Sequence, residues 1–329
     1  MNSLSRYMVG DIGGTNCRLA VCDPTTGLID EIRIMAVKDF QALGEAISTY
    51  RDALPSYTFT DASISIANPI VGDRIAMTNA HWDFSIEQTR KSSHLERLIM
   101  LNDWESVALS LPLLQGSDLE RINDRQPNSS GTRALCGVGT GLGVAGLVAA
   151  KDGTWVPVAG EGGHVSFSPV DEEESQILNT LMRSHDHVSF EKILSGPGLV
   201  GLHQAIAAMD GASVETLMPQ QIVAHAASQD DPACKKTLEV FCGILGNFAG
   251  NLCLTLGATG GIYVGGGVIE KIDQAGLFDR DRFLSGLVHK GRLSDWLTNI
   301  PAFLLRTPYA GLIGAAAALG IQNISVIER

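Results

Sequence analysis

The sequence has little that would tie it to a metal framework, a nucleic acid or a membrane. Its six cysteines, Cys17, Cys22, Cys136, Cys234, Cys242 and Cys253, include no C-x-x-C pair and sit mostly in apolar runs. They are read as buried free thiols rather than metal ligands. Positive charge is scarce: 24 Lys and Arg against 36 Asp and Glu leave a net charge of −12. That balance argues against a general nucleic-acid or anionic-membrane surface. It does not argue against ATP, because local backbone amides and a cation can hold phosphates inside an acidic protein. The first residues lack a charged region followed by an apolar core, and no charge-free span of about 18 residues, the length that could cross a membrane, is expected, so a cytoplasmic location is the expectation.

What is present in excess is glycine. The chain has 36, roughly half again the ordinary share, which fits a fold with several tight loops. With 329 residues, 45% hydrophobic, and a mean hydropathy of +0.13, the chain can build two packed cores.

The most informative stretch runs from Met8 to Val21, where an apolar run meets Asp11, Gly13, Gly14, Thr15 and Asn16 before a second apolar run begins. It reads as a β-hairpin. Gly13 and Gly14 permit positive φ and close backbone approach, so that successive N–H groups and the Thr15 hydroxyl can face an anion. Asp11 would repel a phosphate directly, and its natural partner is a hydrated Mg²⁺. An ordinary glycine hairpin turn is the competing reading. A second copy decides: Leu135 to Val148 repeats strand, glycine turn and strand, with Gly139, Thr140 and Gly141 at the tip. Two such turns more than a hundred residues apart suggest a duplicated domain with a nucleotide held between the halves. Neither fits G-x-x-x-x-G-K-[ST], and neither clearly leads from a strand into a helix as a dinucleotide site requires.

Along the chain, strands are expected at 31–37, 62–67 and 97–101, and a helix from Asp39, as its N-cap, to Tyr50. The order βββαβ is that of a ribonuclease H-like fold. Asn102 and Asp103 end a strand and open a helix at about Trp104, where α/β folds build sites, although either could simply cap that helix. Residues 116–132 read as a polar connector and a domain boundary. Glycines flank Glu161 and His164 in Gly160-Glu161-Gly162-Gly163-His164, which exposes both side chains. Asp171 to Glu174 reads as an acidic first helix turn, and His185 and His187 as surface residues. Glu191 precedes a Gly-Pro-Gly turn. Asp231-Pro232 to Leu256 reads as a buried helix whose Gly243, Gly246 and Gly250 allow a neighbour to approach. Ile262 to Val268 reads as a strand and a third glycine turn, 302–306 as a strand, and 311–319 as a small-residue helix.

Taken in order, VGDIGGTN, ISIANPI, LNDW, GVGTGLG, GEGGH, LSGPGL, YVGGG and GLIGAAAAL resemble the bacterial glucokinases of the hexokinase group, within the actin-like ATPase superfamily, from Val9 to about Leu319. The resemblance implies an α/β fold of two ribonuclease H-like domains with a cleft between them: a small one over 1–110 plus about 307–329, and a large one over 111–306. It implies transfer of the γ-phosphoryl of ATP to the 6-hydroxyl of D-glucose, with Asp103 as the base. Asn102, Glu161, His164 and Glu191 would bind the other hydroxyls. Asp11, Gly13, Gly14, Thr15, Asn16, Gly139, Thr140 and Gly141 would hold the phosphates and Mg²⁺, Asp11 through water, and Gly265 and Gly266 would lie near the adenosine. Glucose and ATP are the expected partners, and a homodimer is left open.

The chemistry asks for these residue types. Phosphoryl transfer is mostly positioning and charge stabilisation, and carboxylates with an Asn and a His recognise sugar hydroxyls directionally. In the related repressor and sugar-kinase (ROK) family a zinc-binding cysteine cluster follows the glycine-acid-His loop. Here His164 is followed by Val165-Ser166-Phe167-Ser168, so structural zinc is not expected. A repressor would need a DNA-binding segment ahead of Asp11, and only ten residues precede it. The alternatives are a kinase for mannose or fructose and a sugar-independent actin-like ATPase.

Overall fold

A computed structural model describes residues 4–209, 211, 216–228 and 231–327. The chain divides into two compact units, Met1–Gly116 with Trp155–Ala159 and Thr307–Arg329, and Ser117–Thr154 with Gly160–Arg306.

In the first unit, β1 (Leu4–Ile12), β2 (Asn16–Cys22) and β3 (Leu28–Ala36) form an antiparallel meander. Helix α1 (Leu43–Asp52) leads to β4 (Tyr57–Ile66), which pairs in parallel with β1. A small hairpin, β5 (Arg74–Ala76) and β6 (Asp83–Ser85), precedes α2 (Ile86–Ser92), β7 (Arg97–Asn102) and α3 (Asp103–Ser110). The expected cap of α1 moves. Asp39 lies in a single 3₁₀ turn, Val37–Asp39, and the helix starts after Ala42, which offers no side-chain cap. Glu45, in the first turn, accepts from Gln41 N–H, just ahead of the helix, at 2.6 Å.

The second unit opens with β8 (Leu119–Arg121), inside the stretch read as a connector. Glu120 pairs with Arg280 and Arg306, and β8 adds antiparallel to a later strand. Next come β9 (Arg133–Val138) and β10 (Leu142–Ala149); after β11 (Trp155–Gly160), whose residues Trp155–Ala159 fall in the first unit, follow α4 (Glu172–Leu181), α5 (Gly196–Met209), α6 (Pro219–Ser228) and α7 (Pro232–Leu256). They are followed by β12 (Gly261–Gly265), α8 (Gly267–Gln274), α9 (Arg280–Val288), α10 (Ser294–Thr298) and β13 (Ala302–Leu305). The strands of this unit are ordered β10-β9-β12-β13-β8.

The chain ends in the first unit with α11 (Ala310–Ala318) and β14 (Ser325–Val326), completing a sheet ordered β14-β3-β2-β1-β4-β7. The two sheets share a plan. In each, a glycine turn joins two antiparallel strands, and the first of them pairs in parallel with a later strand. One face of the first sheet buries Met8, Ile12, Leu19 and Ile64 with α1, and the other packs Val9, Ala20 and Ile29 on Leu312, Ala315 and Ala316 of α11. Small residues on α11 let it press against α3: a Cβ at Gly314 would meet Ser106 O at 1.7 Å.

Helix α7 fills the second core, and Asp231 caps it with Pro232 at the first position, as the sequence suggests. The stretch from Val240 to Ile269 carries no charged residue, which corrects the expectation that no such span exists. Length and composition would let α7 cross a membrane, but 72% of its apolar window is buried in the core. Close approach by α9 falls at Gly246 and Gly250, where a Cβ would meet Phe283 O at 1.9 Å and Leu287 O at 2.3 Å. Gly243 has open space. All six cysteines are buried and none forms a disulfide.

Candidate active site

In the first unit the candidate residues gather at one edge of the sheet. Strands β1, β4 and β7 are parallel, and their register sets Asp11 beside Ser65, and Ile66 beside Asn102. Asp11, Asn102 and Asp103 therefore stand at the carboxyl ends of neighbouring parallel strands, where open α/β sheets place ligands.

Asp11 is half-buried, and burial pushes its carboxyl pKa up; a hydrogen bond from Ser65 and the charge of Arg18 act against that rise. Ser65 Oγ donates to Asp11 Oδ1 at 3.0 Å, and Arg18 Nη1 lies 3.5 Å from Oδ2 while also donating to Pro308 O at 3.1 Å. Gly311, at the start of α11, comes so close that a Cβ there would sit 2.9 Å from the Asp11 carboxyl carbon. The site thus holds one hard oxygen donor, propped from below and flanked by a helix start. A hydrated divalent cation fits that donor.

The turn beside Asp11 is closed by Gly13 N–H donating to Asn16 O at 2.9 Å, leaving Thr15 and Asn16 exposed. Neither Gly13 nor Gly14 adopts positive φ, contrary to expectation. Gly14 is needed for space, since a Cβ would meet Asn79 O at 2.9 Å.

Asn102 is the N-cap of α3. Its Oδ1 accepts from Trp104 N–H at 3.0 Å and Glu105 N–H at 3.3 Å, and Glu105 returns a bond to Asn102 N–H, forming a capping box. Asp103 is the first helical residue, and its Oδ1 also accepts from Trp104 N–H at 3.0 Å, so both members of the pair serve the helix start. The Asn102 amide also donates to Asn68 O at 3.4 Å.

In the second unit, Glu161, His164 and Glu191 are brought together. His164 Nε2 lies 4.0 Å from Glu161 Oε2, and His164 Nδ1 lies 3.9 Å from Glu191 Oε1. Glu161 and His164 are exposed on a single 3₁₀ turn, and Glu191 is fixed by accepting from Leu142 N–H at 2.8 Å through Oε2. Gly163 cannot carry a side chain, because a Cβ would lie 2.1 Å from Leu142 O. Gly139 N–H donates to Gly141 O at 2.9 Å, closing the second turn with Thr140 exposed at its tip. Open space lies over Gly139, whereas a Cβ on Gly141 would meet Glu191 Oε2 at 2.5 Å. Gly265 ends β12, and Gly266, at φ +96°, turns the chain into α8 against Val138.

These turns border a cavity of about 590 Å³. It is lined by Gly139, Thr140, Pro197, Met218, Val223 and Val268 among others, with Lys271 at its wall. Its size and largely apolar lining suit a purine nucleoside. The sequence reading missed most of these wall residues, as it missed Arg18, Ser65 and Gly311. Ser65, Gly196, Pro197, Leu199, Gly267 and Gly311 fall within the quoted motifs but are given no role there.

Comparison with known proteins gives the family. The glucokinase family model matches residues 8–321. A glucokinase of Chromobacterium violaceum is 41% identical over 312 residues, covering 95% of this chain and 88% of that protein. The crystal structure of a glucokinase from an Antarctic psychrotroph superposes with a TM-score of 0.87 at 32% identity, over 96% of this chain and 98% of that one. At the level of fold alone, a ROK-family glucokinase from Streptomyces griseus, solved with glucose and AMPPNP, gives 0.62 at 20% identity, over 95% and 98% of the two chains. The fold is that of the actin-like sugar kinases, and the chain belongs to the glucokinase family.

Proposed function

We propose that Asp103 is the general base in the reaction that glucokinase membership gives this enzyme, ATP-dependent phosphorylation of D-glucose to glucose 6-phosphate and ADP. The observation that carries this reading is the position of Asp103 at the start of α3. Asn102 caps the helix, and the Asp103 carboxylate stands one residue beyond the end of a parallel strand. It would accept the proton of the 6-hydroxyl as that oxygen attacks the γ-phosphorus. Glu161, His164 and Glu191 would orient the remaining hydroxyls, with Asn102 contributing through its amide. The turns at Gly13 to Asn16 and Gly139 to Gly141 would hold phosphates, and the cavity beside Gly265 and Gly266 the adenosine. Asp11 would hold Mg²⁺ through water; the cation, when bound with ATP, neutralises phosphate charge.

Asp103→Asn tests the assignment, because Asn has nearly the same shape and can hydrogen-bond a hydroxyl but cannot take its proton. Glucose binding by calorimetry should be almost unchanged. Turnover by coupled ADP release should fall by about 10⁴-fold, the upper end of general-base effects with lost orientation added. Near-normal turnover would refute the base, and lost glucose binding would make Asp103 chiefly a sugar ligand.

A further inference from the structure

Away from the candidate active-site residues, the second unit gathers three different donor side chains in one place. His203 lies on α5, Asp231 caps α7, and Cys234 sits in the first turn of α7. Cys234 Sγ is 3.5 Å from His203 Nε2 and 3.3 Å from Asp231 Oδ2. One donor atom from each residue lies within 4.8 Å of the other two.

Those separations have a direct geometric meaning. Tetrahedral zinc holds sulfur at about 2.3 Å and nitrogen or oxygen at about 2.0–2.1 Å, which puts the sulfur about 3.5 Å from each of the other ligands. The sulfur is therefore already at ligand-to-ligand spacing from both partners, and the donor atoms of His203 and Asp231 lie within 4.8 Å of each other.

The carboxylate divides its two oxygens between tasks. Oδ1 accepts from Ala233 N–H at 2.9 Å and Cys234 N–H at 3.1 Å, which completes the helix cap, while Oδ2 faces the sulfur. His203 is only 1% exposed, and its Nδ1 is buried without a hydrogen-bond partner. A fully buried imidazole is a costly choice for packing alone.

We propose that His203, Asp231 and Cys234 bind one divalent d-block cation of borderline softness, of which Zn²⁺ is the type, with water as the fourth ligand. Sulfur and imidazole together select such an ion over Mg²⁺ or Ca²⁺, which take oxygen. On binding, the Cys234 thiol gives its proton to solvent, so thiolate and carboxylate together balance the two positive charges. The cation would tie α5, whose Gly196, Leu199 and Val200 line the cavity, to the start of α7. The place is separate from the glycine-acid-His loop, where the missing cysteines removed the expectation of zinc. It stands independently of the kinase assignment.

The test uses the full chain freed of metal by a chelator, with Co²⁺ and Zn²⁺ as probes. The wild type should take up one Co²⁺ per chain, showing a sulfur-to-cobalt charge-transfer band and tetrahedral d–d bands that Zn²⁺ abolishes. Cys234→Ser should lose the charge-transfer band. Asp231→Asn keeps the cap, because Asn and Asp cap about equally, and should keep the band. Each variant should weaken Zn²⁺ binding by at least about tenfold, since even outer partners of a metal cost about 10- to 100-fold. Failure of the wild type to develop the band with excess Co²⁺ would overturn the proposal. So would Zn²⁺ affinity unchanged in Asp231→Asn. The wild-type spectrum and the Asp231→Asn titration decide the matter even where Cys234→Ser folds poorly.

Discussion

In the roles proposed for them, Asp11 and Asn102 would each answer to two demands. To hold a cation Asp11 would have to be ionised, whereas burial raises its pKa, and Ser65 and Arg18 restrain that rise. In Asp11→Asn the Ser65 hydrogen bond can survive while the negative charge is lost. The Mg²⁺ concentration for half-maximal rate should rise at least about tenfold with glucose binding unchanged, measured by Mg²⁺ titration of the kinase assay. An unaltered Mg²⁺ dependence would remove Asp11 from the cation site. For Asn102 the two demands separate by substitution. Asn102→Asp keeps the cap and replaces the amide, so thermal stability should hold while KM for glucose rises. Asn102→Ala should lose about 1 kcal/mol of stability as well. If only the alanine variant changes, and only in melting temperature, Asn102 is a cap and nothing more.

Elements carry constraints that single side chains do not. The loop bearing Glu161 and His164 lies so tightly on β10 that Gly163→Ala would drive a Cβ to 2.1 Å from Leu142 O. Overpacking of this kind costs about 1–3 kcal/mol. Here the strain should appear as displacement of Glu161 and His164, with weaker glucose binding by calorimetry; unchanged binding would show that the loop position is irrelevant to the sugar. Helix α4 presents a different constraint. Glu174 is 7% exposed, and burial pushes its pKa from 4.5 up to about 7, although it accepts from Val170 N–H at 3.0 Å and feels Lys290. An acid whose folded pKa is raised favours the folded state below its unfolded pKa and loses that contribution as pH rises through about 7. Glu174→Gln should therefore stabilise the protein at pH 8 by about 1–2 kcal/mol, after allowance for solvent screening, and have little effect at pH 4. Melting curves at the two pH values check this. Destabilisation at pH 8 would mean that attraction to Lys290 outweighs burial.

At the scale of the whole molecule, binding and stability are linked. Glucose at about 100 times its Kd should stabilise the folded chain by about 2.7 kcal/mol, visible as a higher melting temperature. Asp103→Asn should keep that shift, since binding and chemistry are assigned to different groups. A panel of hexoses with Mg·ATP extends the same measurement to specificity. Glucose should give both the largest shift and the fastest ADP release, and ATP hydrolysis should be slow without sugar. Rapid sugar-independent hydrolysis would favour an ATPase over a sugar kinase.

Much of this was legible in the chain because the signals are local. Two strand-turn-strand repeats, an Asn-Asp pair after a strand and an acid and His between glycines fix short-range geometry, and the repeated plan of the two sheets follows from them. The Asp231-Pro232 start of α7 was equally plain, since cap and first-turn chemistry lie within a few residues. The cap of α1 was misread because Asp39 is drawn into a 3₁₀ turn that the local pattern does not announce, and the helix begins only after Ala42, without a side-chain cap. The supports of Asp11 were invisible for another reason. Ser65 reaches it through parallel strand pairing and Gly311 through packing of the last helix, separations of 54 and 300 residues that no periodicity encodes. His203 lies 31 residues from Cys234, which the sequence reads as a buried thiol, and no local pattern singles out His203. Their meeting, like the cavity walls drawn from four separate segments, exists only once α5 is packed on α7. Local chemistry and hydrophobic pattern determined the elements and the kind of reaction, while long-range packing, which follows from the sum of many weak contacts, decided which atoms face one another.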